Sequence, residues 1–174
     1  NEGDNTYTKT ITVIGLPNLT PTQPSGWSDK IVVSTVTGNN TDSATLLPTD
    51  TLYVDWAVIN NGPAATGSSF QATLKVDGVL KNTWTASALD ANTSSTITDY
   101  SIGSLAVGSH TLLLTLDSGS AVTESNEGDN TYTKTITVTE VTEPNLILVQ
   151  PAGWSDKIVV STGTGTNIDS ATLL

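Results

Sequence analysis

Carboxylates crowd one short stretch of this chain of 174 residues. Asp117, Glu124, Glu127 and Asp129 lie close together, and Asn126 and Asn130 add neutral oxygens. Calcium takes about six to eight oxygen ligands, and a flexible loop can wrap them around the ion. Asp117, Glu124, Glu127, Asp129 and Asn130 are therefore expected as ligands of a Ca2+ ion that stiffens the joint between units. The same residue types carry a second reading: Asn and Asp bond their own backbone and build turns, while Glu is simply solvated. Asp42, Asp50 and Asp99 form no local group and read as surface.

Other chemistry is sparse. His110 is the single histidine, and it stands at the start of a predicted strand beside Gly108 and Ser109. A nucleophile needs a base within hydrogen-bond reach, yet there is no Cys, no G-x-S-x-G and no phosphate loop. No enzyme is expected. Trp56 falls on the apolar register of its strand and reads as core. Trp27, its counterpart Trp154, and Trp84 are the candidates for an inter-repeat or surface contact, with core or joint packing as the alternative. Thr131, Thr133, Thr135 and Thr137 form a row of hydroxyls and methyls on one strand face.

The elements that must position these groups read as strands. Leu52, Val54, Trp56 and Val58 alternate with Thr51, Tyr53, Asp55 and Ala57, a period of two with one buried face. Asn60-Asn61-Gly62-Pro63 ends that run. Phe70, Ala72, Leu74 and Val76 alternate likewise, and Asp77-Gly78 predicts a tight hairpin. Leu112, Leu114 and Leu116 share a face, as do Tyr132, Ile136 and Val138, with Lys134 on the same register and able to snorkel to the edge. Residues 24–48 are less regular and read as a hairpin insertion or an edge excursion. No helical period competes. The expected fold is all-β, an immunoglobulin-like β-sandwich repeated in tandem.

The tandem arrangement is written in the letters. Residues 1–13, NEGDNTYTKTITV, recur without change at 126–138. Residues 17–47 recur at 144–174 with 24 of 31 positions identical. Repeats at a long fixed period are the mark of arrays. The expected division is a closing strand of a preceding repeat at 1–15, a complete repeat at 16–139 and the beginning of the next at 140–174.

Composition narrows the setting. The net charge is −11, from six Lys, no Arg and seventeen carboxylates. Nucleic acid is an unsuitable partner, because it requires a basic footprint. Without Cys no disulfide forms, and no stretch is apolar enough to insert in a membrane. Thr (32) and Ser (18) are abundant, and Thr suits the pleated surface of strands.

Five segments carry a family resemblance: Pro17-Asn18-Leu19, the run from Leu52 to Asn61-Gly62, the Leu74-Lys75-Val76-Asp77-Gly78 hairpin, Gly108-Ser109-His110-Thr111-Leu112 running to Asp117, and Val122-Thr123-Glu124-Ser125-Asn126-Glu127-Gly128-Asp129-Asn130. In that order they resemble the CARDB domain, the cell-adhesion-related domain found in bacteria, over nearly all of residues 17–138. The resemblance implies an immunoglobulin-like sandwich in large, repetitive, extracellular bacterial or archaeal proteins, associated with surface adhesion and spacing. Residues 26–50 are longer than the family's compact form. The expected function is a structural repeat of an extracellular filament or giant adhesin, partnered by neighbouring repeats and by other copies in a filament. The alternative is a module binding carbohydrate or a cell-surface partner.

Overall fold

A computed structural model describes residues 6–13, 15–141, 146–160, 164–166 and 168. They fall into two units, Asn1–Val141 and Thr142–Leu174. Among the described residues, all the strands lie in the first: β1 (Leu19–Pro21), β2 (Ile31–Ser34), β3 (Leu52–Asn60), β4 (Phe70–Val76), β5 (Val79–Ala86), β6 (Thr93–Gly103), β7 (Gly108–Thr115) and β8 (Thr131–Val138). No helix occurs among the described residues.

The strands build two antiparallel sheets. In one, β3 is central. β6 pairs along its whole length, and the opposite edge is shared: β2 faces residues 53–56 and β1 faces 58–60. The other sheet runs β5-β4-β7-β8. Trp56, Phe70, Leu74, Leu112 and Leu114 meet between the sheets as the buried core. Each such side chain contributes about 1.5–3 kcal/mol by leaving water.

Most of the alternation survives folding. β4 buries Phe70, Ala72, Leu74 and Val76 and exposes Gln71 and Lys75. The Asp77-Gly78 turn has positive φ at both positions, 51° and 79°, as a type I′ hairpin requires. β3 departs from the expected single buried face, because Asp55 and Ala57 are buried too. Asp55 sits at an irregularity in the β3–β6 ladder between Val54 and Trp56. There its Oδ1 accepts the amide of Asp99 at 2.5 Å, doing what a ladder carbonyl would do elsewhere. Burial, the main cause, pushes the Asp55 carboxyl above its ordinary pKa, against the bond from Asp99.

Residues 24–48, expected as a hairpin insertion or an edge excursion, contain β2, all four residues of which are buried. The rest lies back on the sandwich, with Ser43 N bonded to Val33 O and Thr139 N bonded to Leu46 O.

Local sequence alone sets one turn. Gln23 Nε2 donates to Trp27 O at 2.7 Å, and Trp27 N to Pro24 O at 3.1 Å. In the second unit Gln150 Nε2 donates to Trp154 O at 2.6 Å, and Trp154 N to Pro151 O at 3.1 Å. The turn is the same although no strand occurs there among the described residues. Residues 6–13, twins of β8, form no strand in this chain and leave Tyr7, Ile11 and Val13 exposed. Of the expected end segments, residues 1–5, 14, 142–145, 161–163, 167 and 169–174 lie outside the described residues.

Gly62 marks a close approach of two chain segments. A Cβ there would stand 2.5 Å from Asn18 N and 2.6 Å from Leu16 O, far inside contact. Gly62→Ala is expected to cost about 2 kcal/mol through forced backbone movement, read as a lower urea midpoint. An unchanged midpoint would contradict this account of the glycine.

Candidate functional site

The acidic loop, residues 116–130, crosses one end of the sandwich and is pinned at its base by Leu116 N bonding Asn130 O at 2.8 Å. A loop without ladder partners still has to satisfy its amides, and its carboxylates do so. Asp117 Oδ1 accepts Ala121 N and Oδ2 accepts Val122 N, both at 2.9 Å. Glu127 Oε1 accepts Glu124 N at 2.8 Å. Glu124 turns inward and is buried. Its Oε2 accepts the amide of Leu19, the first residue of β1, and its Oε1 accepts Asn130 Nδ2 at 2.8 Å.

A run of asparagines extends this clasp. Asn18 Nδ2 donates to Asp129 Oδ2 at 3.1 Å and to Asn61 Oδ1 at 2.9 Å. Asn60, fully buried at the end of β3, accepts Asn18 N at 3.0 Å and donates to the carbonyls of Ala64, Leu89 and Asp90. The start of β1, the end of β3, the turn before β6 and the acidic loop are thus joined through three buried polar side chains, Asn18, Asn60 and Glu124.

Asp117, Glu124, Glu127, Asp129 and Asn130 are neighbours in sequence, but no three His, Cys or carboxylate side chains gather as a metal-holding group among the described residues. Carboxylate oxygens of Asp117, Glu124 and Glu127 accept backbone amides. Asp129 Oδ1 and Asn130 Oδ1 are buried and accept no hydrogen bond. Burial, the largest influence, lifts the Glu124 carboxyl above its ordinary pKa; the bonds from Leu19 and Asn130 oppose this, and the charges of Glu127 and Asp117 add to it.

The open sides of the sandwich are closed differently. On the β8 side, Lys134 reaches the edge and meets Asp29 Oδ2 at 2.9 Å and Asp42 Oδ2 at 2.8 Å. Tyr132 Oη donates to Asp29 Oδ1 at 2.7 Å, and the Lys30 amine lies 5.3 Å from the Tyr132 ring centroid. Asp29 is held below its ordinary pKa: burial alone would raise it, and the bonds from Lys134, Tyr132 and the Lys30 amide outweigh that. The Asp29 bond, then burial and the charges of Asp29 and Asp42, push Tyr132 up to about 12. Asp42, Asp50 and Asp99, read from sequence as surface, each do local work: Asp42 in this ion pair, Asp50 on Leu47 N and Asp99 on Gly38 N. Residues ninety or so apart in the chain offer no sequence signal for such a meeting.

On the opposite side, Trp84 lies edge-on to Trp56 at 5.3 Å and to Tyr100 at 4.9 Å. Tyr100 Oη donates to Lys81 O at 2.8 Å, linking β6 to β5. Trp84 is thus partly buried against the core, and β5 continues past it to Ala86. Trp27 is half-buried and Trp154 is exposed.

His110 belongs to a tether. Its Nδ1 lies 2.7 Å from Asp77 Oδ2 and its Nε2 2.7 Å from Ala106 O. Neutral imidazole carries one N–H, so both bonds are complete only in the doubly protonated ring. The Asp77 bond first, then the Ala106 carbonyl, raise the His110 pKa against burial.

Two antiparallel sheets packed around one core define a β-sandwich. The model of the CARDB family matches residues 29–134, and the chain belongs to that family. Among solved structures it is similar to the CARDB domain of a Pyrococcus furiosus protein, crystallised in complex with di-metal ions: identity is 19%, the match covers 74% of this chain and 99% of that one, and the TM-score is 0.57. The same domain in solution matches at 18% identity over 72% and 97%, with a TM-score of 0.53. Residues 272–376 of a candidate cell surface protein of Methanosarcina acetivorans match at 24% identity over 71% and 92%, with a TM-score of 0.52. A search of curated proteins returns no match.

Two outcomes follow from the site. Both Glu124 oxygens accept, so an amide turns one N–H donor towards another. Glu124→Gln is therefore expected to cost about 2 kcal/mol despite its equal size, checked by denaturant unfolding; full stability would refute the clasp. For His110 the folded pKa lies above the unfolded one. Its contribution to stability is complete below the unfolded value and is lost as pH rises through the folded value. An NMR titration is expected to give a midpoint above the ordinary value of 6.5, and Asp77→Asn to lower it.

Proposed function

We propose that this chain is a stretch of a tandem array of extracellular CARDB units whose role is structural, either as stiff spacers or as the repeating element of a fibre. The observation that carries the reading is the fate of one repeated segment. Residues 131–138 are β8, paired along β7 and burying Ile136 and Val138. Their identical twin, residues 6–13, keeps its apolar side chains in water. A segment of that design is suited to a β7 of its own, which a preceding unit would supply. Residues 144–174 correspond in the same way to the segment holding β1 and β2. On this reading the complete unit is 16–139, its partners are neighbouring repeats, and contacts in the array are between nearest neighbours.

The chemistry within the unit favours the same reading. His110 has both ring nitrogens engaged, and the carboxylates of the acidic loop hold amides. The negative surface and the likeness in fold to a candidate cell surface protein support a place outside the cell. In a filament, copies of the chain would also meet through sheet edges.

Limited proteolysis followed by mass spectrometry tests the division of the chain. The expected resistant fragment spans about residues 16–139, with the first cuts on either side of it. First cuts inside β2 to β8 would refute it. Electron micrographs of chains with several repeats are expected to show evenly spaced beads; a featureless coil would oppose the structural role.

A further inference from the structure

The side of the sandwich where β5 faces β6 holds a cleft of about 260 Å³. Trp56, Val58, Trp84, Leu89 and Ile97 give it an apolar wall. Thr85, Ser87 and Ser95 contribute exposed hydroxyl residues to its lining, and no charged side chain takes part. Trp56 is 2% exposed, and its Nε1 is buried without a hydrogen-bond acceptor. Trp84 cannot easily swing aside, since Trp56 and Tyr100 hold it at interplanar angles of 65° and 80°.

We propose that this cleft binds one neutral sugar ring. The inference goes beyond the structural role, since a spacer needs no such cavity. Small-molecule sites are usually apolar hollows of about 300–1,000 Å³ with a few placed polar groups; this one is smaller than that range and suits no more than a single ring. A pyranose has an apolar C–H face for the indole wall and hydroxyls for the rim. An acyl chain would leave the rim hydroxyls without partners. An anion would meet no cation in the lining and a chain of net charge −11. The ring would come free or as the neutral end of a glycan, with the same chemistry in either case.

The test is an NMR titration of the whole chain, following the indole N–H signals of Trp27, Trp56, Trp84 and Trp154. The probes are glucose, galactose, mannose and N-acetylglucosamine, each free and at the end of a short oligosaccharide. The expected result is saturable shifts at Trp56 and Trp84 with at least one of these sugars. A response to the free ring and the oligosaccharide alike indicates a one-ring site; a response to the oligosaccharide alone identifies a glycan end as the source. Trp84→Ala is expected to abolish the shift at Trp56. Ser87→Val and Ser95→Val are each expected to weaken binding about fivefold, the loss of one neutral hydrogen bond. Trp27→Ala is expected to leave it unchanged. If Trp84→Ala fails to fold, the Ser87→Val/Ser95→Val double variant decides. No saturable shift with any sugar, full affinity in that double variant, or a response only to an uncharged detergent would overturn the proposal.

Discussion

A single buried carboxylate ties the two ends of this domain together. Glu124 accepts the first amide of β1 with one oxygen and the Asn130 side chain with the other. β1 has three residues, too few to hold its place by pairing alone. Without the loop's hold on Leu19, the end of β3 would lose part of its cover, and the asparagine network around Asn60 would open to water. Burying a charge is costly, and it is tolerated where every lone pair in reach finds a donor. The acidic loop therefore reads as a fastening for the chain's first strand.

The two sides of the sandwich show two solutions to the same problem, the sealing of edges that the hydrogen-bond ladder leaves open. One uses charge, with Lys134 between Asp29 and Asp42. The other uses aromatic packing, with Trp84 between Trp56 and Tyr100. The ionic seal fills its space with long, polar side chains. The aromatic seal is rigid and leaves a hollow beside it, because flat rings set edge to face do not tile a curved wall.

Strand identity was legible in the sequence wherever one face meets the core and the other meets solvent. The period of two located β4, β7 and β8, and Asp77-Gly78 located the hairpin. Legibility failed where burial has another cause. Asp55 looks like a solvent-facing residue and is buried, because it completes an irregular ladder in a central strand. Residues 26–50 lack a clean period because β2 is buried on both faces and the remainder follows the surface of other elements. The acidic loop showed its composition but not its use: a carboxylate that ligates and one that caps an amide look the same in one dimension. The clasp between Asn18, Asn60 and Glu124 depends on partners 42 and more residues away, and no local pattern encodes those distances.

The identity of residues 6–13 and 131–138 has a kinetic side. To β7, the two segments are the same ligand, with equal side chains and equal hydrogen-bonding groups. Affinity cannot choose between them. The choice falls to tether length, since a strand joined through residues 116–130 samples β7 at a far higher effective concentration than one arriving from elsewhere. The loop that caps the domain is thus also its proofreader, and a lengthened or slackened loop in a chain of such repeats would invite neighbours to exchange strands.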